Sequence, residues 1–300
     1  MTSTDGPSDR DSPEAGACTV ALTVTFDLED SRGSPAQEPR YVEMGHRFLD
    51  FLQQRSIRAT VFVVGELAAA APELVRRVAS DGHELGLHGL RHVTLEDVGR
   101  EHLRRELEQG RALLEDAGGV AVGGFRAPIF SLTPASAWAV EEIAAAGFAY
   151  SSSVLPGRNP LHGWPGAPRR PFRWHNGLLE LPCPVAGAGK LQVPFLGGIY
   201  MRYFPVALSR RLVRRAGRES ILWSYVHPYD IDTDEPFSVM PHAGWVVSRI
   251  VHTRRGVTLG RLEAVLAAAG GAGRPLGEIA AELDPSRLPT MTAGEPRPGT

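Results

Sequence analysis

The sequence predicts an α/β fold built on parallel strands, because short apolar runs alternate several times with amphipathic helical stretches. The first apolar run, residues 19–26, is rich in β-branched residues and ends abruptly in polar ones, which is typical of a buried parallel strand. Further strand candidates are 59–64, 83–87, 120–125 and 221–226. Crossover helices between such strands give a (β/α) barrel or a doubly wound sheet, and in both folds catalytic residues gather where strands end.

Helical stretches lie between these strand candidates. Residues 41–54 place their apolar side chains on one side, and 72–80 begin with proline, which suits the first turn of a helix. Two more helices are predicted at 95–116 and 134–146. The region 156–198 is rich in Pro, Gly and aromatic residues, so we expect long loops and hairpins there, and substrate specificity with them.

Composition limits the possible classes of function. The chain has 300 residues, 43% of them hydrophobic, which is enough for a full core. Its 32 Lys+Arg and 34 Asp+Glu give a formal net charge of -2, and the basic residues are dispersed. Nucleic acid is therefore not an expected partner, since phosphate binding needs concentrated positive charge. We expect one folded domain at 18–283 between disordered, Pro-rich tails at 1–17 and 284–300.

Cysteine usage and hydropathy bear on the compartment. The two cysteines, Cys18 and Cys183, are too few for a disulfide framework and favour a reducing environment. The start has no apolar signal-peptide core, and no run reaches the roughly 18 apolar residues of a membrane span. A cytoplasmic protein with no membrane partner is the expectation, and the sequence leaves the oligomeric state open.

His88 and His92 follow a strand candidate and lie four residues apart, so a helical turn or a tight loop can aim both imidazoles at one point. Alone, such a pair is a weak signal that more often lies on a solvated face. Its neighbours strengthen it, because the first strand candidate ends in three acids: Asp27, Glu29 and Asp30. One carboxylate joined to two imidazoles makes an open zinc site, and another carboxylate can serve as general base.

Geometry does not decide which acid would bind the metal. In an extended segment Asp27 and Glu29 point to one face and Asp30 to the other, unless the chain turns. We favour Asp30 as the ligand, on the assumption of a turn that brings its short carboxylate inward, and keep Glu29 as the alternative. The acids can instead simply cap a loop or a following helix.

Two more candidate residues follow strand candidates. Arg126, within Phe125-Arg126-Ala127-Pro128, can hold a carboxylate base in place, although an isolated Arg-Pro turn more often lies on the surface. His227 closes the run 221–226 and suits a general acid, although a histidine at a strand end is more often structural.

In this order and at these spacings, the motifs resemble those of the polysaccharide deacetylase family, which includes the nodulation chitooligosaccharide deacetylases and the peptidoglycan deacetylases. The motifs are Thr25-Phe26-Asp27 with its trailing acids, His88-x3-His92, Arg126-Ala127-Pro128 and His227-Pro228. No single motif is specific, but the ordered set is, and the likeness covers about residues 18–280.

The resemblance implies a distorted (β/α) barrel of the polysaccharide deacetylase type and one divalent metal ion, usually Zn²⁺. It makes Asp27 the catalytic base, Arg126 the residue that orients it, and His227 the general acid. The metal ligands it implies are His88, His92 and an acid, for which Asp30 and Glu29 compete. A backbone N–H near Ala127, Pro128 and Ile129 would bind the oxyanion. No clear aspartate near Ser151 supports His227, so the group that orients it is open.

The expected function is that of a metal-dependent hydrolase that cleaves a carbon–nitrogen bond to remove the acetyl group from an N-acetylated sugar or oligosaccharide. One alternative is hydrolysis of a small linear or cyclic amide that is not a sugar. Another, from a different class, is a catalytically inactive barrel that binds carbohydrate. Zinc content and acetate release separate these alternatives.

Overall fold

The structure is a computed structural model that describes residues 21–32, 38–157, 162–188, 191–216, 220–239 and 244–292. The predicted tail at 1–17, Cys18 and the start of the first predicted strand lie outside the described residues. None of the helices in the described part of the chain is long and apolar enough to cross a membrane.

A nine-stranded sheet forms the centre of the molecule, and a two-stranded hairpin lies beside it. The strands are β1 (Leu22–Leu28), β2 (Thr60–Val63), β3 (Glu84–Leu87), β4 (Gly124–Phe125), β5 (Tyr150–Ser151), β6 (Phe172–Trp174), β7 (Leu179–Glu180), β8 (Val185–Ala188), β9 (Leu191–Pro194), β10 (Leu222–Val226) and β11 (Thr290–Met291). The order in the large sheet is β10-β1-β2-β3-β4-β5-β7-β6-β11, and β8 pairs with β9. All neighbours in the large sheet are parallel except β6 and β7.

Helices connect the parallel strands. They are α1 (Tyr41–Gln53), α2 (Gly65–Ala70), α3 (Pro72–Ser80), α4 (Leu95–Val98), α5 (Arg100–Gly118), α6 (Ala139–Ala145), α7 (Gly198–Tyr203), α8 (Val206–Arg214), α9 (Pro228–Ile231), α10 (Gly244–His252), α11 (Thr258–Ala268) and α12 (Leu276–Glu282). Single-turn 3-10 helices occur at Pro128–Phe130, Arg255–Val257 and Pro285–Arg287.

The core lies between the sheet and these helices. Every residue of β1 is buried, and α1 packs its apolar side against this strand, with the Phe26 and Phe48 rings stacked 4.4 Å apart. Because β10 and β1 to β5 run in parallel, their carboxyl ends lie at one edge of the sheet. Side chains that follow these strands are therefore brought together.

Two predicted helices differ from the observed ones for local reasons. The stretch predicted as one helix at 95–116 is two, α4 and α5, because Gly99 between them has a φ of 75°. The predicted helix at 134–146 begins only at Ala139, because Ser136 and Thr133 form a turn in which Thr133 N–H donates to Ser136 Oγ at 2.9 Å.

The expectation of a disordered tail at 284–300 is wrong for its first part. Residues 284–292 continue from α12 through a 3-10 turn into β11, which pairs in parallel with β6. The backbone N–H of Arg173 donates to Pro289 at 2.9 Å, and that of His175 donates to Met291 at 2.9 Å. The Pro-rich composition suggested disorder, but this short segment finds backbone partners at the open end of the sheet. The last residues, 293–300, lie outside the described part.

Candidate metal and active site

Four parallel strands deliver the candidate residues to one edge of the sheet. Asp27 lies near the end of β1, and the next three candidates directly follow β3, β4 and β10: His88, Arg126 and His227. The register pairs β1 with β10 and β2, and β3 with β4, which fixes the lateral order of these side chains. The structure thus brings together residues that are separated by up to two hundred positions in the sequence.

Glu29, His88 and His92 form a cluster of three possible metal ligands, whose ligand atoms all lie within 4.8 Å of one another. Glu29 Oε2 lies 3.5 Å from His88 Nε2 and 2.5 Å from His92 Nε2. Glu29 and His88 are buried, and the His92 side chain is 26% exposed. One carboxylate oxygen therefore faces two imidazole nitrogens at a site that is open on one side.

A tight loop, rather than a helical turn, brings His92 back beside His88. Gly89 has a φ of 78°, and a Cβ atom there would lie 2.9 Å from the carbonyl oxygen of Arg91. Glycine is the residue that adopts this conformation without strain. The loop accordingly depends on Gly89 to aim the second imidazole at the first.

The ring nitrogens of the cluster suit a divalent cation. His88 Nδ1 lies 2.9 Å from the carbonyl oxygen of Arg126, which can only accept, so Nδ1 carries the proton and Nε2 directs its lone pair towards Glu29. His92 Nε2 is buried 2.5 Å from Glu29 Oε2, and no other polar group in the described part of the chain pairs with it. A carboxylate with two imidazoles is the donor set of an open zinc site.

The structure places Glu29, and not the preferred Asp30, in the cluster of possible ligands. Asp30 Oδ2 accepts a hydrogen bond from Arg32 Nε at 2.7 Å and is not part of the cluster. β1 stays extended to Leu28, so the alternation of a strand carries Asp27 and Glu29 to the same face and turns Asp30 away. The assumed turn does not occur before Asp30.

The histidines stabilise Glu29 as a carboxylate. Burial alone would raise the pKa of Glu29, but the positive charges of the neighbouring His92 and His227 hold it well below its usual range. The cluster thus offers a negative charge that a cation would neutralise.

Arg126 holds Asp27 in a fixed orientation. Its Nη1 donates to Asp27 Oδ1 at 2.6 Å and to Thr25 Oγ1 at 2.8 Å, and its Nη2 donates to Ser152 Oγ at 3.0 Å. The guanidinium lies between two aromatic rings, 4.1 Å from the Phe62 centroid and 4.2 Å from that of Trp223. Arg126 therefore binds Oδ1 of Asp27 and leaves the other carboxylate oxygen, Oδ2, outside this ion pair.

His227 faces Asp27 with one ring nitrogen and Asp230 with the other. Its Nε2 lies 3.8 Å from Asp27 Oδ2, and its Nδ1 lies 2.6 Å from Asp230 Oδ2. The ring stacks on Tyr229 with centroids 4.7 Å apart. Burial lowers the pKa of His227, but Asp230, Glu29 and Asp27 more than offset this and raise it to about 9. The histidine is therefore positioned to carry a proton at neutral pH.

Asp230 is a site residue that the sequence reasoning missed. The resemblance implies support for His227 near Ser151, whereas Asp230 comes three residues after His227, in the short helix α9 whose N-cap is His227. Its other oxygen forms an ion pair with the buried Arg202, with 3.0 Å between Oδ1 and Nη2. The signal was available, because an acid at i+3 of a histidine that begins a helix can reach back to it.

The turn at Ala127, Pro128 and Ile129 leaves one candidate oxyanion donor. The N–H of Ala127 donates to Ser153 Oγ at 2.9 Å, and proline has no N–H. The N–H of Ile129 remains, and this residue has a φ of 56°, which is uncommon for a β-branched side chain. Pro128 thus shapes the turn and cannot itself donate.

Comparison with known proteins points to two families. Residues 19–150 match the polysaccharide deacetylase family model, and residues 152–270 match DUF3473, a domain of unknown function. The two matched regions meet at β5, which pairs with β4 on one side and β7 on the other. They share one continuous sheet.

Curated relatives of this chain include deacetylases. A chitooligosaccharide deacetylase from Sinorhizobium fredii is 32% identical over 120 residues, which cover 40% of this chain and 51% of the relative. A peptidoglycan-N-acetylglucosamine deacetylase from Bacillus cereus is 32% identical over 87 residues, which cover 29% of this chain and 32% of the relative. The chain thus spans about half the length of the first relative and a third of the second.

Solved structures share the fold over nearly the whole chain. A Mycobacterium smegmatis protein assigned as a polysaccharide deacetylase superposes with a TM-score of 0.62 at 20% identity, covering 97% of this chain and 99% of that one. The Puue allantoinase gives a TM-score of 0.54 at 17% identity, covering 93% and 97%. The predicted distorted (β/α) barrel is confirmed, and at these identities the likeness concerns the fold alone.

Proposed function

We propose that the protein is a metal-dependent hydrolase that removes the acetyl group from an N-acetylated sugar or oligosaccharide, on the premise that residues 19–150 match the polysaccharide deacetylase family model. One observation carries the proposal. The possible metal ligands Glu29, His88 and His92 lie at the same sheet edge as Asp27 and His227, which are able to move protons.

Glu29, His88 and His92 would hold one divalent cation, and zinc suits their nitrogen and carboxylate donors. When bound, such an ion supplies Lewis-acid polarisation of the acetyl carbonyl and makes water a stronger nucleophile at neutral pH. The fixed tautomer of His88 supports this role, because the proton on Nδ1 leaves the lone pair of Nε2 available to bind the ion.

Asp27 acts as the general base. Arg126 occupies Oδ1, so Oδ2 is the oxygen that accepts the proton of the attacking water. Arg126 is wholly buried and contacts both Thr25 and Ser152, which prevents the carboxylate from rotating away. The base therefore keeps its geometry before substrate arrives, and pre-organisation of this kind lowers the barrier.

His227 acts as the general acid. Asp230 accepts from Nδ1, which leaves the protonated Nε2 directed into the site to donate to the leaving nitrogen. The 3.8 Å between Nε2 and Asp27 Oδ2 separates the acid from the base. A developing oxyanion would be stabilised by the backbone N–H of Ile129. Acetate and a free amine are the products.

Acetate release tests this function directly. The purified protein is incubated with N-acetylated sugars, N-acetylated oligosaccharides and small linear and cyclic amides, with and without a chelator. We expect release from the sugars, its loss with chelator, and its return on adding zinc. The Asp27→Asn variant keeps the shape of the side chain but cannot accept the proton, so its turnover should fall by about 10²–10⁴-fold while metal stays bound.

Two outcomes would contradict the proposal. Release from the small amides alone would assign the site to a non-sugar amide. Sugar binding by the zinc-loaded protein without release from any substrate would assign the protein to the class of inactive binding barrels.

A further inference from the structure

Helix α10 (Gly244–His252) turns its apolar side to solvent. Trp245 is 59% exposed and Val246 64%, the highest values among the large apolar side chains of the described residues, and Ile250 is 41% exposed. The buried residue of this helix is Ser248. Surface helices normally bury their apolar face and expose polar residues, so α10 has the reverse orientation.

Polar contacts hold the helix in this orientation. The buried Arg202 donates through Nη1 to the carbonyl oxygens of Val251 and Thr253, at 2.6 Å and 2.8 Å. Tyr203 OH donates to the carbonyl oxygen of Ile250 at 3.2 Å. These donors satisfy the carboxyl-terminal end of α10 from the protein side, which leaves the Trp245 face outward.

Arg249 and Arg254 give this face a positive charge. Arg249 lies on α10 with its guanidinium carbon 4.1 Å from the Phe237 ring centroid, and Arg254 lies over Tyr203 at 5.3 Å. Helix α8 begins three residues after Tyr203 and adds a set of exposed arginines: Arg210, Arg211, Arg214 and Arg215. The sequence has no Asp or Glu at 181–218 or 236–262. The basic residues are therefore locally concentrated, contrary to the dispersion that the whole-chain count suggested.

We propose that this surface, which we call the α10 face (Tyr203, Trp245, Val246, Arg249, Ile250 and Arg254), docks on an anionic phospholipid bilayer. Interfacial helices combine Trp and aliphatic residues, which enter the headgroup boundary, with Arg, which binds lipid phosphates. The absence of acidic residues from the two segments matches an anionic partner. The expectation of no membrane partner rested on the lack of a spanning segment, and an interfacial helix needs none.

The α10 face adjoins the candidate active site. Arg202 contacts the carbonyl oxygens at the end of α10 and also the carboxylate of Asp230, which in turn contacts His227. These contacts link α10 to the site through the interior of the protein. The proposal itself rests on the exposed face and its charge, and it stands independently of the hydrolase activity.

Vesicle binding tests the proposal. Full-length protein is co-sedimented with vesicles of phosphatidylcholine alone and of phosphatidylcholine mixed with phosphatidylglycerol. We expect binding to the mixed vesicles only. The double variant Trp245→Ser with Val246→Ser should lower the partition constant by about tenfold or more, because it removes the apolar groups that enter the boundary. Arg249→Gln should lower it by about fivefold.

Matched variants on other surfaces serve as controls. Val120→Ser removes an apolar side chain that is 43% exposed, and Arg76→Gln removes an arginine whose side chain is 55% exposed. Both should bind like the original protein, and circular dichroism checks that every variant is folded. The proposal is overturned if the protein does not bind mixed vesicles, or if the control variants lose as much binding as the α10 variants. Self-association in sedimentation velocity that the double variant abolishes, without vesicle binding, would assign the face to a second copy of the chain instead.

Discussion

Arg126 shows how a single charge is kept in the interior of this site. The side chain is wholly buried, yet its guanidinium has the Asp27 carboxylate, two hydroxyl groups and two aromatic faces as partners. Removing one member of a buried ion pair leaves an uncompensated charge and typically costs about 3–5 kcal/mol. Lysine would keep the charge but not the planar fork, so the orientation of Asp27 depends on arginine specifically.

Glu29 and Asp30 should differ sharply in metal binding. Glu29→Gln removes the charged ligand between His88 and His92, so we expect zinc affinity to fall by more than about 100-fold. Asp30→Asn leaves the three-ligand cluster intact and should change affinity little, because Asp30 pairs with Arg32. Zinc titration with a competing chelator measures both. Equal losses in the two variants would contradict the assignment of Glu29.

Asp230→Asn should move the basic limb of the pH–rate profile to lower pH. His227 donates only when protonated, so turnover is present below its pKa and is lost as the pH rises through it. The Asp230 carboxylate raises that pKa, and removing its charge lowers the pH at which the proton is lost. The measurement is kcat/KM against pH for both proteins.

Asp232→Asn is the matched control for this experiment. Asp232 lies two residues further along but pairs with Arg40 rather than with His227. The Asp232→Asn variant should have the basic limb of its pH–rate profile at the same pH as the original protein, apart from any loss of stability. A basic limb that stays in place in Asp230→Asn would mean that Asp230 does not set the protonation of His227.

At the residue scale, the sequence indicated most of the candidate site because its residues directly follow buried strands. Strand ends in a parallel sheet meet at one edge, so the proximity of four candidates could be predicted without knowledge of the loops. These are Asp27, His88, Arg126 and His227. Asp30 lies outside the cluster because its inward orientation required a turn, and the strand instead continues for two residues past Phe26. Asp230 was missed because the supporting carboxylate was sought in another segment.

At the scale of elements, the accuracy of each prediction depended on the length of the apolar pattern. The helices at 41–54 and 72–80 were predicted to within a residue, since the first has a long apolar periodicity and the second begins with proline in its first turn. β4 and β5 each pair over only two residues, which is too short for any alternation to be read. Their place in the sheet is set by tertiary packing instead.

Glu84 ties three other elements to β3 at the end of the sheet opposite the site. It begins β3 and accepts from Thr60 Oγ1 of β2, from Tyr150 OH of β5 and from the backbone N–H of Gly277 in α12, at 2.7–2.8 Å. Burial raises the pKa of Glu84, although these donors oppose the shift. The folded protein therefore binds a proton here more tightly than the unfolded chain.

The stability of the protein relative to Glu84→Gln should consequently rise as the pH falls. The contribution is fully present below the unfolded pKa of a glutamate, about 4.3, and is lost as the pH rises through the higher folded pKa. Between these two pKa values, the difference in unfolding free energy between the two proteins changes by at most about 1.4 kcal/mol per pH unit. Urea unfolding of both proteins at several pH values from neutral to mildly acidic measures it. A difference that is constant over this range would contradict the proposed proton linkage.

At the scale of the whole molecule, the sheet is continuous across the two matched families. Residues 19–150 supply β1 to β4 and the first residue of β5, and the two ends of the same sheet are extended by β10 on one side and by β7, β6 and β11 on the other. Glu29, His88 and Asp27 come from the first region, whereas His227 and Asp230 come from the second. The candidate site is therefore incomplete without both regions, and we infer that they act as one catalytic unit.

The open ends of this sheet explain why the segment 284–292 is structured. Among the described residues β10 and β11 lie at opposite ends of the strand order and do not pair with one another. β11 covers the free edge of β6, a strand whose Trp174 is 1% exposed and packs on Trp164 with ring centroids 5.2 Å apart. An exposed edge here would present unpaired backbone groups next to an aromatic cluster.

A chain that ends at residue 283 should accordingly be less stable than one that ends at residue 292. The shorter chain loses the hydrogen bonds from Arg173 and His175 to the segment, each worth about 0.5–1.5 kcal/mol net, so we expect a loss of about 1–3 kcal/mol. Comparing the two truncated chains by urea unfolding isolates the contribution of residues 284–292. Zinc affinity should be the same in both, because β11 lies at the far end of the strand order from β1, which carries Glu29 into the site. Equal unfolding free energies would mean that β11 adds nothing to the sheet, and a loss of zinc affinity would mean that the end of the sheet supports the site.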